Sequence, residues 1–266
     1  MAMNRIIVIT SGKGGVGKTT CTANLGMALA KSGKRVVVID ADFGLRNLDL
    51  LLGLENRIVY TALDVLAGEC RLDQALVKDK RQPNLALLPA AQNRSKESIT
   101  PEQMKKLVRA LTKAYNFVLI DSPAGIEMGF RNAISAAREA IIVTTPEISA
   151  VRDADRVIGL LEANDIKAMR LIINRLKPAM VEAEQMMSVK DVQDILAVPL
   201  LGVIPDDEQV VVSTNNGEPL ILDKELSQAG TAVSNIARRL QGEKVPLMDL
   251  SVPKDSFFKK LRQLFN

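Results

Sequence analysis

The sequence predicts an α/β fold: a doubly wound, mostly parallel sheet with helices on both faces. Three observations predict it. Apolar runs rich in Val, Ile and Leu recur along the chain and alternate with segments of helical period. Several of these runs are continuous rather than alternating, as strands are when both faces of a sheet are covered. The first, Ile6-Ile7-Val8-Ile9, leads into a glycine-rich turn and then a helical pattern, the order of a strand, a binding loop and a helix N-terminus.

Strands are expected at 5–10, 35–40, 85–89, 117–121, 140–145, 169–174 and 200–204. Helical patterns fall between them at 18–32, 61–67, 101–113, 149–164, 189–196 and 225–241. Gly33 follows the first helix, where a residue without Cβ accepts the left-handed backbone of a helix end. No repeat, low-complexity block or Pro/Gly-rich linker interrupts residues 1–241, which read as one domain. Residues 242–255 contain Pro246 and Pro253 and lack strong periodicity, the pattern of a tether; residues 256–266 read as a short helix.

With 266 residues, 47% of them hydrophobic and 25% charged, the chain can bury a sizeable core and is ordinary for a globular protein. A formal charge of +4 is too small to mark nucleic-acid binding, and nucleic acid is not the expected partner. The basic pI near 9.0 suits anionic lipid equally well. Histidine is absent, which removes the commonest general base and metal ligand. Chemistry must use carboxylates, lysines, hydroxyls, backbone amides and Mg²⁺, a set that suits phosphoryl transfer. Cys21 and Cys70 form no metal motif, and Cys21 reads as small core packing. No signal peptide is evident, and no apolar run reaches the roughly 18 residues of a transmembrane helix. A cytoplasmic location is expected.

Gly12-Lys13-Gly14-Gly15-Val16-Gly17-Lys18-Thr19-Thr20 fits the phosphate-loop pattern G-x-x-x-x-G-K-[ST]. In that context backbone N–H groups converge on an anion, and the helix dipole adds to the field. Lys18 is expected on the β- and γ-phosphates, the Thr19 hydroxyl on Mg²⁺ and Thr20 near the α-phosphate. Lys13 is an extra lysine early in the loop; by spacing alone it reads as a solvated side chain. The second strand ends in Val37-Val38-Ile39-Asp40-Ala41-Asp42, with two carboxylates on one side of an extended segment. They read either as a metal-ordering and water-orienting pair or as a helix cap and solvated turn. Phe117-Val118-Leu119-Ile120-Asp121 has the Walker B form, with Asp121 toward Mg²⁺ through a water. The following Ser122-Pro123-Ala124-Gly125 reads as a turn able to rearrange with the γ-phosphate.

The form K-G-G-V-G-K-T-T resembles the deviant Walker A loop of the Mrp/MinD/ParA ATPases. The resemblance implies Mg²⁺-dependent hydrolysis of ATP to ADP and phosphate. It implies an ATP-dependent homodimer in which Lys13 crosses to the partner's phosphates while Lys18 stays on its own nucleotide. Asp42 then positions the hydrolytic water, Asp40 supports the metal and the loop, and Asn174, Pro205 and Asp206 flank adenine. Phe43-Gly44-Leu45-Arg46-Asn47-Leu48-Asp49, Ser149-Ala150-Val151-Arg152-Asp153 and Asn216-Gly217-Glu218-Pro219 resemble the branch that sets the cell-division site. That likeness implies partners of two kinds, a division inhibitor of MinC type and a topological activator of MinE type. It also implies that Asn47 and Asp153 lie near the dimer and partner surfaces; read without it, both are solvated. A DNA-partitioning ATPase and a flagellar-number regulator of the same superfamily stand as alternatives.

Three of the chain's six phenylalanines, Phe257, Phe258 and Phe265, fall in its last ten residues. On a helix, these three with Leu261 and Leu264 occupy an arc of roughly 120°. Lys259, Lys260 and Arg262 lie outside it. This is the pattern of a basic amphipathic helix lying in an anionic membrane surface, and it resembles the family's membrane-targeting sequence. A helix docked on the protein itself has a similar pattern. Burial of five apolar side chains gains ~5–8 kcal/mol, three cations add roughly 1 kcal/mol each, and ordering about ten residues costs on the order of 10 kcal/mol. One tail is near balance; two linked tails bind with avidity.

Overall fold

The computed structural model describes residues 4–43, 46–91 and 99–250. Eight strands form one sheet: β1 Arg5–Thr10, β2 Val36–Asp40, β3 Val77–Lys78, β4 Leu85–Leu88, β5 Phe117–Asp121, β6 Glu139–Thr144, β7 Ala168–Leu176 and β8 Leu200–Pro205. The order is β3-β4-β2-β5-β1-β6-β7-β8. All neighbours are parallel except β3, which runs antiparallel to β4. The doubly wound, mostly parallel sheet expected from the sequence is the one observed.

The helices are α1 Lys18–Lys31, α2 Leu48–Leu51, α3 Ala62–Ala67, α4 Leu72–Ala75, α5 Pro101–Leu111 and α6 Met128–Ser135. Then follow α7 Ile148–Ala163, α8 Pro178–Glu182, α9 Val189–Leu196, α10 Gln209–Asn215 and α11 Gln228–Leu240. Alternate residues of each strand face two separate cores. Ile7 and Ile9 pack under α1 and α11, whereas Ile6 and Val8 pack under α5, α6, α7 and α9. Burial on both faces explains why the central strands are continuous apolar runs. Cys21 belongs to the core beneath α1, as its size suggested.

Helix ends follow local chemistry. Thr100 caps α5 by accepting from the Gln103 N–H at 3.3 Å, with Pro101 at the first helical position. Ser188 accepts from the Asp191 N–H at 3.1 Å at the start of α9. After α1, Gly33 takes φ 84°, the helix end expected there.

The structure adds elements that periodicity did not show. β3 is two residues long, too short to display a period. α2, α4, α8 and α10 span four to seven residues, one or two turns in which an apolar stripe is weak, although α3, of six residues, was expected. β7 runs to Leu176, past the expected end at 174, through a register shift around Arg175, which takes φ 57°. Part of the stretch read as a tether is fastened to the body: Arg239 donates to the carbonyls of Val245 at 2.7 Å and Pro246 at 2.6 Å. Residues 251–266, including Phe257, Phe258, Lys259, Lys260, Leu261, Arg262, Leu264 and Phe265, lie outside the described residues, as do Gly44 and Leu45.

One motif has a structural explanation. Gly217 sits against Gly53, and Arg81 donates to the Gly217 carbonyl at 3.2 Å and the Leu52 carbonyl at 2.5 Å. Arg81 also pairs at 2.7 Å with Asp79, which is fully buried. Burial alone would raise the Asp79 carboxyl, but Arg81 and backbone N–H groups hold it below its ordinary range. The pair ties the loop after α2 to the loop after α10.

Candidate nucleotide site

Three strand ends build the site. β1 runs into the loop 12–20, β2 ends at Asp40 and β5 ends at Asp121. The register sets Asp121 opposite both Ile9 and Asp40. The chain leaves β1 toward β2 on one side and later crosses to β6 on the other, so the loop lies at a topological switch point.

Gly17 immediately precedes α1 with φ 91°, a conformation that side chains with Cβ rarely adopt. A Cβ there would also lie 2.3 Å from Asn174 Nδ2. A Cβ on Gly12 would lie 2.2 Å from the Asp153 carbonyl oxygen, so the loop is wedged between α7 and the end of β7. The N-terminus of α1 has no side-chain cap and no acidic residue in its first turn. Its first N–H groups are left without a side-chain partner, the arrangement that accepts an anion.

Lys18 Nζ donates to Asp121 Oδ1 at 2.9 Å and approaches Thr19 Oγ1 at 3.3 Å. Thr22 donates to the same carboxylate oxygen at 2.8 Å. Lys18 is 7% and Asp121 1% exposed, so a paired charge sits at the floor of the loop. The two carboxylates of β2 have different surroundings. Asp40 is 1% exposed and accepts the N–H groups of Asp42 at 2.9 Å and of Asn47 and Leu48 at 3.2 Å. It pins the segment from β2 to α2. Burial, and then the Asp121 charge, push its carboxyl up to about 7. Asp42, beyond the strand, is half-buried.

Lys13 is not free in solvent. Its Nζ lies 3.2 Å from Glu147 Oε2 and 3.1 Å from Ser149 Oγ, at the start of α7. Asn174, Pro205 and Asp206 line one cavity of about 290 Å³ with Gly17, Thr20 and Cys21. Asn174 donates to the Val16 carbonyl at 2.8 Å, joining that cavity to the loop. Burial and the Asp121 charge push the Cys21 thiol up to about 12, which leaves it an unreactive wall. Asp206 pairs with Lys177 at 3.2 Å.

The structure thus brings the loop, Asp40, Asp42, Asp121 and the Asn174–Pro205–Asp206 group to one edge of the sheet. Sequence reasoning missed Thr22 and Glu147, and named Ser149 only within a family-like motif, without its contact to Lys13. Thr22 stands one helical turn after Lys18 and was legible from that spacing; the other two are set only by tertiary packing. Asn47 is exposed, and Asp153 lies 3.7 Å from Arg156.

The donor set fits a nucleotide with Mg²⁺. The uncapped helix start and the glycine cradle fit phosphates. No cluster of three or more His, Cys, Asp or Glu that could hold a metal occurs among the described residues.

Strand, glycine loop, buried lysine–aspartate pair and adjoining base-sized cavity define a phosphate-loop nucleotide-binding protein. The family model of the CobQ/CobB/MinD/ParA nucleotide binding domain matches residues 7–220. The chain belongs to that family. Within it the likeness is to MinD: it is 65% identical over 261 residues to the septum site-determining protein MinD of Synechocystis sp., covering 98% of each chain. Among solved structures it resembles the Aquifex aeolicus MinC:MinD cell division protein complex, with 53% identity, TM-score 0.86 and coverage of 92% of this chain and 98% of that one. It also resembles the Pyrococcus horikoshii MinD complexed with Mg-ADP, at 35% identity and TM-score 0.81, covering 91% and 100%.

Proposed function

We propose that this protein is an ATP-hydrolysing switch of cell-division-site selection, which pairs with a second copy when ATP is bound and then holds the inner face of the cell membrane. The observation that carries this reading is the Lys18–Asp121 pair beneath an uncapped helix start, next to the cavity of Asn174, Pro205 and Asp206.

On this reading Lys18 exchanges Asp121 for the β- and γ-phosphates. The ammonium stays compensated throughout, so its burial is not a barrier to binding. Thr19, with Asp40 and Asp121 behind it, would hold a Mg²⁺ ion, which supplies charge neutralisation between the phosphates. Asp42 orients the attacking water. Lys13 leaves Glu147 and Ser149 and reaches the partner's phosphates, where its charge meets the developing negative charge. Gly12, Gly14, Gly15, Val16, Gly17 and Thr20 supply the cradle.

The tail would add membrane affinity only when two copies are joined, since one amphipathic helix is near balance. No helix among the described residues is long and apolar enough to cross a membrane; on this reading the contact is made at the surface, through the tail. The Aquifex complex supports a MinC-type partner; a MinE-type activator is part of the same reading, carried by the likeness to MinD alone.

The test is sedimentation with anionic vesicles in the presence of ATP, ADP or a slowly hydrolysed ATP analogue. Pelleting with the analogue and release with ADP are expected. Equal capture of the ADP-loaded single subunit would reject the switch.

A further inference from the structure

We propose that a basic groove at the edge of the sheet opposite the nucleotide site is a second contact for anionic lipid headgroups, acting beside the C-terminal tail. The inference rests on the membrane reading above. The groove, of about 600 Å³, carries Lys105, Arg109 and Arg138 above a floor that includes Ile6 and Val108. All three cations are exposed, and none makes an ion pair among the described residues. The neighbouring carboxylate, Glu139, is already taken by Arg5. Exposed Arg35 extends the field: its carbonyl accepts the N–H of Asn116, three positions beyond exposed Lys113.

A structural account covers only part of this cluster. Arg109 lies in the last turn of α5, where a cation offsets the helix dipole. Lys105 is a turn earlier and Arg138 is on the loop entering β6, so the dipole does not explain them. The whole chain carries only +4, so uncompensated cations gathered on one groove make a local field rather than a bulk excess.

One observation favours a membrane. The groove shares its edge with the end of α11, from which the chain runs on toward its C-terminus: Arg5, next to the groove residue Asn4, donates to Glu139 and to the carbonyl of Leu240, the last residue of α11. A tail inserted in lipid would draw this edge toward the surface, and each cation near anionic lipid adds attraction.

The test uses the full chain carrying Lys105→Gln, Arg109→Gln and Arg138→Gln together, loaded with ATP. Vesicles of phosphatidylcholine, with and without phosphatidylglycerol, are titrated over a salt series. The expected result is a loss of at least about tenfold in affinity for the mixed vesicles, with a flatter salt dependence. Lipid-free ATP hydrolysis stays at the wild-type rate, which reports an intact fold. Wild-type affinity and salt slope in the triple variant would overturn the proposal. So would a loss of duplex-DNA binding with vesicle binding untouched. A wild-type chain that ignores both vesicle types in every nucleotide state would instead sink the membrane reading itself.

Discussion

Replacing Asp40 by Asn separates the charge of this residue from its shape. The folded carboxyl sits at about 7, against an unfolded value of about 3.9. Between those values the folded chain holds a proton that the unfolded chain has lost. Stability from this group is therefore complete below about pH 4 and falls by ~1.4 kcal/mol per pH unit until it is gone above about pH 7. The total is on the order of 4 kcal/mol. Asparagine does not titrate, so the variant lacks this slope. It keeps one acceptor oxygen for the N–H groups of Asp42, Asn47 and Leu48, and the lost bonds give a pH-independent deficit of roughly 1–3 kcal/mol. Urea unfolding of nucleotide-free, chelator-treated protein at a series of pH values measures both terms. The wild-type advantage at pH 5 should shrink or reverse by pH 8. An advantage independent of pH would mean that Asp40 is ionised throughout, and that three backbone N–H groups outweigh its burial and the neighbouring Asp121.

Arg81→Ala leaves Asp79 buried without its partner and should cost about 3–5 kcal/mol in the same unfolding assay; an unchanged midpoint would show that the pair is dispensable. Asn174→Ala removes the bond to Val16 and part of the wall of the cavity proposed to hold the base, so calorimetry should find ADP bound roughly tenfold more weakly. Lys13→Ala frees Glu147 and Ser149 without touching the single-subunit fold; light scattering should find it monomeric with ATP, and an ATP-bound dimer would contradict the crossing role.

The legible part of the molecule is the part where local and tertiary demands coincide. β1, β2 and β5 announce themselves because central parallel strands are buried on both faces, and the latter two end in the carboxylates Asp40 and Asp121 that the site uses. The glycine loop was readable because its pattern is set by backbone geometry: Gly17 must take a left-handed φ. α6 was not legible: it follows closely on the turn at 122–125 and contains Gly129, both of which interrupt a helical reading. The clamp on Lys13 was invisible because Glu147 stands 134 positions away and meets it only after β6 is laid beside β1. Asp40 read as a metal ligand or a cap; its hold on three N–H groups of the following loop needed coordinates.

Arg239 has a mechanical consequence. By gripping the Val245 and Pro246 carbonyls it moves the pivot of any lipid anchor several residues beyond the end of α11. On the membrane reading proposed above, the length of chain between body and anchor would be counted from Pro246 rather than from the end of α11, and the Arg239 grip would set how far the body stands from the bilayer. Cutting that grip would let the body swing farther from the surface and lower the concentration at which two anchored copies meet.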